Sequence, residues 1–176
     1  MGGGLLVLFA LFAEGLFQAG ALGMGVLYMM RGLGATCGPL LARYLVGETP
    51  EAMLRALGVI FGISAGFHLA FAYMPTLWLA AAALFPATMA ANILWVFSST
   101  LLQLHVPDAY RGRVFAADFA LLTIVMSIST FATGWSLDRH LATPRLLAAI
   151  LGGILFVPAL LWLVSTWKRQ PHAPGA

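Results

Sequence analysis

The sequence predicts an all-α integral membrane protein, a bundle of six transmembrane helices of which the first is short. Three observations predict it. Of the 176 residues, 61% are hydrophobic and 9% charged, against about 45–50% and about 25% in soluble domains, so charge is too scarce to cover a water-facing surface. Several apolar runs reach the roughly 20 residues that a helix needs to cross about 30 Å of hydrocarbon. Runs such as LLAAILGGILFVPALLWLV (146–164) are apolar all round, whereas barrel strands alternate over about 10 residues.

The spans follow from the punctuation between them. A short helix is expected over about residues 5–17, then longer ones over 24–46, 54–73, 76–104, 114–137 and 145–167. Together they make a bundle over 1–170, with a tail at 168–176. VGETPE (46–51) separates the second from the third, Met74–Pro75 turns the third into the fourth, and DRHLATP (138–144) ends the fifth. Pro75 and Pro144 are expected in first helical turns, where a missing N–H removes no bond. Pro39, Pro86 and Pro158 fall within spans, where each removes one backbone hydrogen bond and favours a kink.

Basic residues assign an orientation. Arg43, Arg55, Arg111, Arg113, Lys168 and Arg169 gather at one set of helix ends, and only Arg139 and Arg145 at the other. Short cytoplasmic loops accumulate Lys and Arg. The VGETPE loop, the opening stretch and the tail KRQPHAPGA are therefore expected in the cytoplasm, with both termini inside. The net charge of +3 sits at helix ends, which is no nucleic-acid footprint. A single cysteine, Cys37, excludes an internal disulfide and a cysteine-based zinc site. His68, His105, His140 and His172 are too far apart in the chain to show metal-ligand spacing. No metal and no cofactor is expected. The opening MGGGLLVLFALFAEG lacks the basic region of a cleavable signal peptide.

The densest charge in the chain is VPDAYRGRVFA (106–116). Read locally, Pro107 stops one helix, Asp108 pairs with Arg111 three residues on, Gly112 allows a turn, and Arg113 snorkels to lipid headgroups. Its surroundings go further. NILWVFSSTLLQLHVPDAYRGRVFAADFALLTIVMSISTFATGWSLDR (92–139) carries Asn92, Trp95, the Ser98–Ser99 pair, Gln103, PDxxRGRVFA and GWSLDR. It closely resembles the tenth and eleventh helices of major facilitator superfamily transporters, nearest to the bacterial branch similar to enterobactin exporters. GVLYMMRGLGATCGPLLAR (25–43) resembles the eighth helix of that branch. There GPLLAR keeps Gly38 and Arg43 of the superfamily's G-x-x-x-D-R motif, while Ala42 replaces the acid.

The resemblance spans nearly the whole chain but only the second half of the family fold. It implies the C-terminal six-helix half, with Met1 beginning inside helix seven, and a missing six-helix N-terminal half as partner. It also implies secondary active transport of a small molecule, as efflux through the bacterial inner membrane. On this reading Arg31, Asn92, Ser99 and Glu14 are substrate-path candidates. Pro107, Asp108, Arg111, Gly112 and Arg113 form a cytoplasmic hinge loop. Asp118 is a salt-bridge partner of a loop arginine or a proton-coupling carboxylate. The other reading is a truncated, non-transporting membrane scaffold or assembly partner.

Ionisable groups inside spans are costly and so are candidates by default. In a hairpin turning near residues 20–23, Glu14 and Arg31 sit at matching depth, about 12 Å in, and are expected to pair unless the first helix is the truncated one. Asn92 and Ser99, seven apart, share a helical face. Interhelical hydrogen bonds of about 0.6 kcal/mol explain such residues equally well. GISAG (62–66) matches the G-x-S-x-G hydrolase elbow, with His68 one turn after Ser64. That elbow needs a strand–turn–helix context, so no enzyme is expected. Gly58, Gly62 and Gly66 are read instead as a small-residue packing face. RGLGATCG (31–38) lacks dinucleotide-loop spacing. Gly25, Gly34, Gly38 and Pro39 suggest a bendable helix.

Overall fold

The computed structural model describes residues 2–47 and 49–167, and every regular element among them is helical. Helix α1 (Gly2–Leu11) runs into a π-helical turn (Phe12–Leu16), followed by α2 (Gly20–Leu45), α3 (Pro50–Tyr73), α4 (Leu77–His105) and α5 (Asp108–Asp138). The last two, α6 (Pro144–Ile154) and α7 (Phe156–Trp167), follow one another almost directly. Four segments are long and apolar enough to cross a membrane: Pro50–Tyr73, Leu77–His105, Asp108–Asp138 and Pro144–Ser165. The chain is therefore a multi-pass helical membrane protein. Gly3–Leu16 is a shorter apolar helix, and α2, at 26 residues, is diluted by Arg31 and its glycines. Glu48 of the VGETPE loop and the tail 168–176, with Lys168 and Arg169, lie outside the described residues.

Helix starts are written in threonines. Thr49, Thr76 and Thr143 each accept a hydrogen bond from the backbone N–H three residues on, at Ala52, Leu79 and Leu146. Such caps satisfy N–H groups that the first turn leaves unpaired. With Thr49 as cap and Pro50 first in the helix, α3 starts four residues before the expected position. Pro75 precedes the cap Thr76 and lies outside α4, while Pro144 does occupy the first turn of α6.

The PDAYRGR stretch differs most from expectation. Only Val106 and Pro107 form the connection, and Asp108 through Arg113 are already the first turns of α5. Asp108 at the N-terminus suits the helix dipole, and its Oδ1 takes the Arg111 guanidinium at 2.7 Å. Gly112 is thus a helical residue with open space beside it, not a turn. The last span breaks at Leu155. Pro158 has no N–H to give the Ile154 carbonyl, and the ladder there tightens to Leu155 N–H donating to Gly152 O at 3.2 Å. Pro39 and Pro86 sit inside unbroken helices.

In lipid, helices associate by close packing instead of by leaving water. Helix α4 is the hub, flanked by α2 and α3, and α3 also packs on α6 and α7. At the α2–α4 contact a side chain at Gly34 would meet the Phe85 carbonyl oxygen at 2.6 Å, and one at Gly38 the Met89 carbonyl carbon at 3.1 Å. Gly34 and Gly38 let two backbones touch, whereas Gly25 of the same pattern has open space beside it. Of the face read at 58, 62 and 66, Gly58 packs against Trp162 and Leu163, whereas Gly62 and Gly66 face open space.

Two apolar clusters stack along the bundle. One joins α1, α2, α3, α4 and α6 around Phe9, Phe12, Leu27, Phe71 and Leu84, with Phe12 stacked on Phe71 at 4.9 Å. The other joins α2, α3 and α4 around Met53, Leu57, Ile93 and Phe97. Helix α5 takes little part. It packs on α1, and of its 31 residues only Thr133 is buried.

Candidate functional site

Helices α4 and α5 are joined by the short Val106–Pro107 connection and run away from it without close packing on one another. Trp95 lies ten residues before the end of α4 and Asp118 ten residues after the start of α5. At the helical rise both stand about 15 Å from the turn. On α4, Trp95, Ser98, Leu102 and His105 are spaced to share one face. A cavity of about 530 Å3 opens along that face, lined by Leu54, Trp95, Ser98, Ser99, Leu101, Leu102, His105 and Asp118. Pockets of about 300–1,000 Å3 with apolar walls and a few convergent polar groups are what small-molecule sites look like.

The polar groups around it are the Trp95 indole N–H, the Ser98 and Ser99 hydroxyls, the His105 ring and the Asp118 carboxylate. The Nδ1–H of His105 donates to the Leu101 carbonyl at 2.7 Å, which in the neutral ring leaves Nε2 as a lone-pair acceptor. Arg111 is drawn to the turn, where it holds Asp108 and donates to the Gln103 carbonyl at 3.1 Å. Arg113 is exposed. Asp118 consequently makes no ion pair with a loop arginine among the described residues, contrary to the salt-bridge expectation. Its carboxylate faces the cavity.

The other candidates are not gathered here. Arg31 and Glu14 are both exposed and make no ion pair with each other. Glu14 sits in the π-helical turn that follows α1. Asn92 is half-buried one turn above Trp95, and its amide donates to the Thr88 carbonyl at 2.8 Å. Ser99 reaches the cavity; Asn92 does not line it. At the opposite end, a second hollow of about 800 Å3 is bounded by Leu11 and the α5–α6 connection. None of the sequence candidates lines it. Sequence reasoning passed over His105, whose signal was its position ten residues after Trp95 on the same face.

Ser64 and His68 are buried between α3 and α4. His68 Nδ1–H donates to the Ser64 carbonyl at 2.8 Å, and the Ser64 hydroxyl donates to the Ala87 carbonyl at 3.2 Å. The ring nitrogen nearest the hydroxyl is thus a donor and cannot serve as its base. Ser64→Ala is expected to lower stability by about 0.6 kcal/mol, the usual worth of one interhelical bond in a membrane, and to leave activity unchanged. Thermal unfolding in detergent and an ester-hydrolysis assay check both halves; loss of an existing hydrolysis would overturn this assignment.

No family model matches this chain, and no curated protein or solved structure matches it. The likeness to facilitators rests on the residues quoted above.

Proposed function

We propose that the chain works as the C-terminal six-helix half of a major facilitator transporter, moving a small molecule across the bacterial inner membrane by secondary active transport, in the direction of efflux. The observation that carries this reading is the cavity along α4, lined by Asp118, which lies near one end of its expected span and makes no ion pair among the described residues. Ionisable groups inside spans are rare because they are costly there, and those that are kept mark solute or ion paths. The exposed Arg31 within α2 supports a second polar wall. Asn92 and Ser99 lie on the α4 face between the two levels, and Glu14 marks the outer rim.

The other reading, a membrane scaffold that packs against a partner without transport, is favoured by α5, whose apolar window has none of its residues buried. Proteoliposomes containing the full chain, given a proton gradient and a panel of labelled solutes, separate the two. Gradient-driven flux supports transport. Absence of flux from the chain alone, together with stable co-purification of another membrane protein, supports the scaffold.

On the proposed orientation, a fluorescent protein fused at the C-terminus fluoresces in the cytoplasm, and alkaline phosphatase inserted between Arg139 and Thr143 is active outside. The reverse pattern would overturn the orientation.

A further inference from the structure

We propose that the α4–α5 cavity selects a small organic cation, an alkylammonium or similar lipophilic positive ion, held between the Asp118 carboxylate and the Trp95 indole. This deepens the transport reading and rests on it only for the statement that the cation is moved; binding stands by itself.

Trp95 and Asp118 each lie ten residues along their helix from the α4–α5 connection and line the same cavity. Trp95 is 44% exposed, so its ring is available to a ligand. An indole face attracts cations through its quadrupole, most strongly where water is excluded. Among the described residues no lysine or arginine lines the cavity; Arg55, next to Leu54, donates to the Glu51 carbonyl at 3.3 Å, and Arg111 is tied to Asp108 and Gln103. His105 turns its Nδ1 proton to the Leu101 carbonyl, so that proton is not offered to the cavity. The remaining walls, Leu54, Leu101 and Leu102, suit alkyl or aryl groups. An anion would meet one carboxylate and no compensating donor of full charge. A neutral solute would leave that carboxylate unpaired in a membrane span.

The test uses two ions of the same shape and opposite charge, tetraphenylphosphonium and tetraphenylborate. Their binding to the purified full chain in detergent is measured by equilibrium dialysis and by quenching of tryptophan emission. Saturable binding of the phosphonium alone is expected. Asp118→Asn should weaken it at least about tenfold, as loss of a charge-assisted partner does, and Asp118→Glu should retain it. Trp95→Leu should weaken it about threefold, with thermal unfolding confirming that each variant is folded. If Asp118→Asn does not fold, the Trp95→Leu and Asp118→Glu results decide the matter. Equal binding of both ions, or phosphonium binding unchanged in the variants, overturns the proposal. Asp118-dependent binding without flux in proteoliposomes would keep the cation site and remove the transport reading. Gradient-driven flux of another solute, with no Asp118-dependent phosphonium binding, would do the opposite.

Discussion

Gly38→Leu is expected to prevent α2 from docking on α4 and to abolish the folded bundle. The Cβ alone would lie 3.1 Å from the Met89 carbonyl carbon and closer still to its oxygen. The obstacle is helix backbone, which cannot rotate aside as a side chain can. Even Gly38→Ala is expected to cost about 1–3 kcal/mol, the range for overpacking a closed contact. Gly34→Ala should behave alike, since its Cβ would meet the Phe85 carbonyl oxygen at 2.6 Å and the Met89 nitrogen at 3.0 Å. Gly32→Ala is the control, because open space surrounds that residue on the same helix. Apparent melting temperature in detergent is the measurement. A Gly38→Ala protein that melts with the wild type would show that the two helices do not touch in this way.

Gly3→Leu is expected to release α5. A Cβ at Gly3 would fall on the Thr130 hydroxyl and 2.6 Å from the Met126 carbonyl oxygen, and one at Gly4 would lie 2.6 Å from the Thr133 hydroxyl. Helix α5 packs on α1 and buries almost nothing elsewhere, so this seam is its main attachment. With α5 displaced, Asp118 leaves the cavity wall, and cation binding and flux should fall together. Hydrogen exchange across residues 108–138 should quicken while that of α3 and α4 stays slow; uniform exchange throughout would count against a local release. Ser129→Ala, in the same seam, should do the reverse. Its hydroxyl is buried without a partner, so removing it is expected to be neutral or slightly stabilising.

Composition and hydropathy by themselves determined the membrane class and the helical content, because backbone groups in hydrocarbon must bond within their own helix and the required length is set by bilayer thickness. Pro144 also marked the start of α6, since a first-turn proline is a local signal; the equally local Thr49–Pro50 start of α3 falls four residues before the expected one. The likeness to facilitators, and with it the transport reading, came from residue patterns that composition could not supply.

Tertiary structure decided what spacing left open. Asp118 near Arg113 reads locally as an ion pair, yet Arg111 is taken by Asp108 and Asp118 lines the cavity along α4. Glu14 and Arg31 match in depth along a hairpin, but neither side chain is brought to the other. Asn92 and Ser99 share a face, but α4 meets α2 near the first and opens toward α5 at the second. Periodicity fixes the direction of a side chain around its own helix; which neighbour stands there depends on where glycines let two backbones close up. That is settled between helices, by contacts such as Gly38 on Met89 and Gly3 on Thr130, far apart in the sequence.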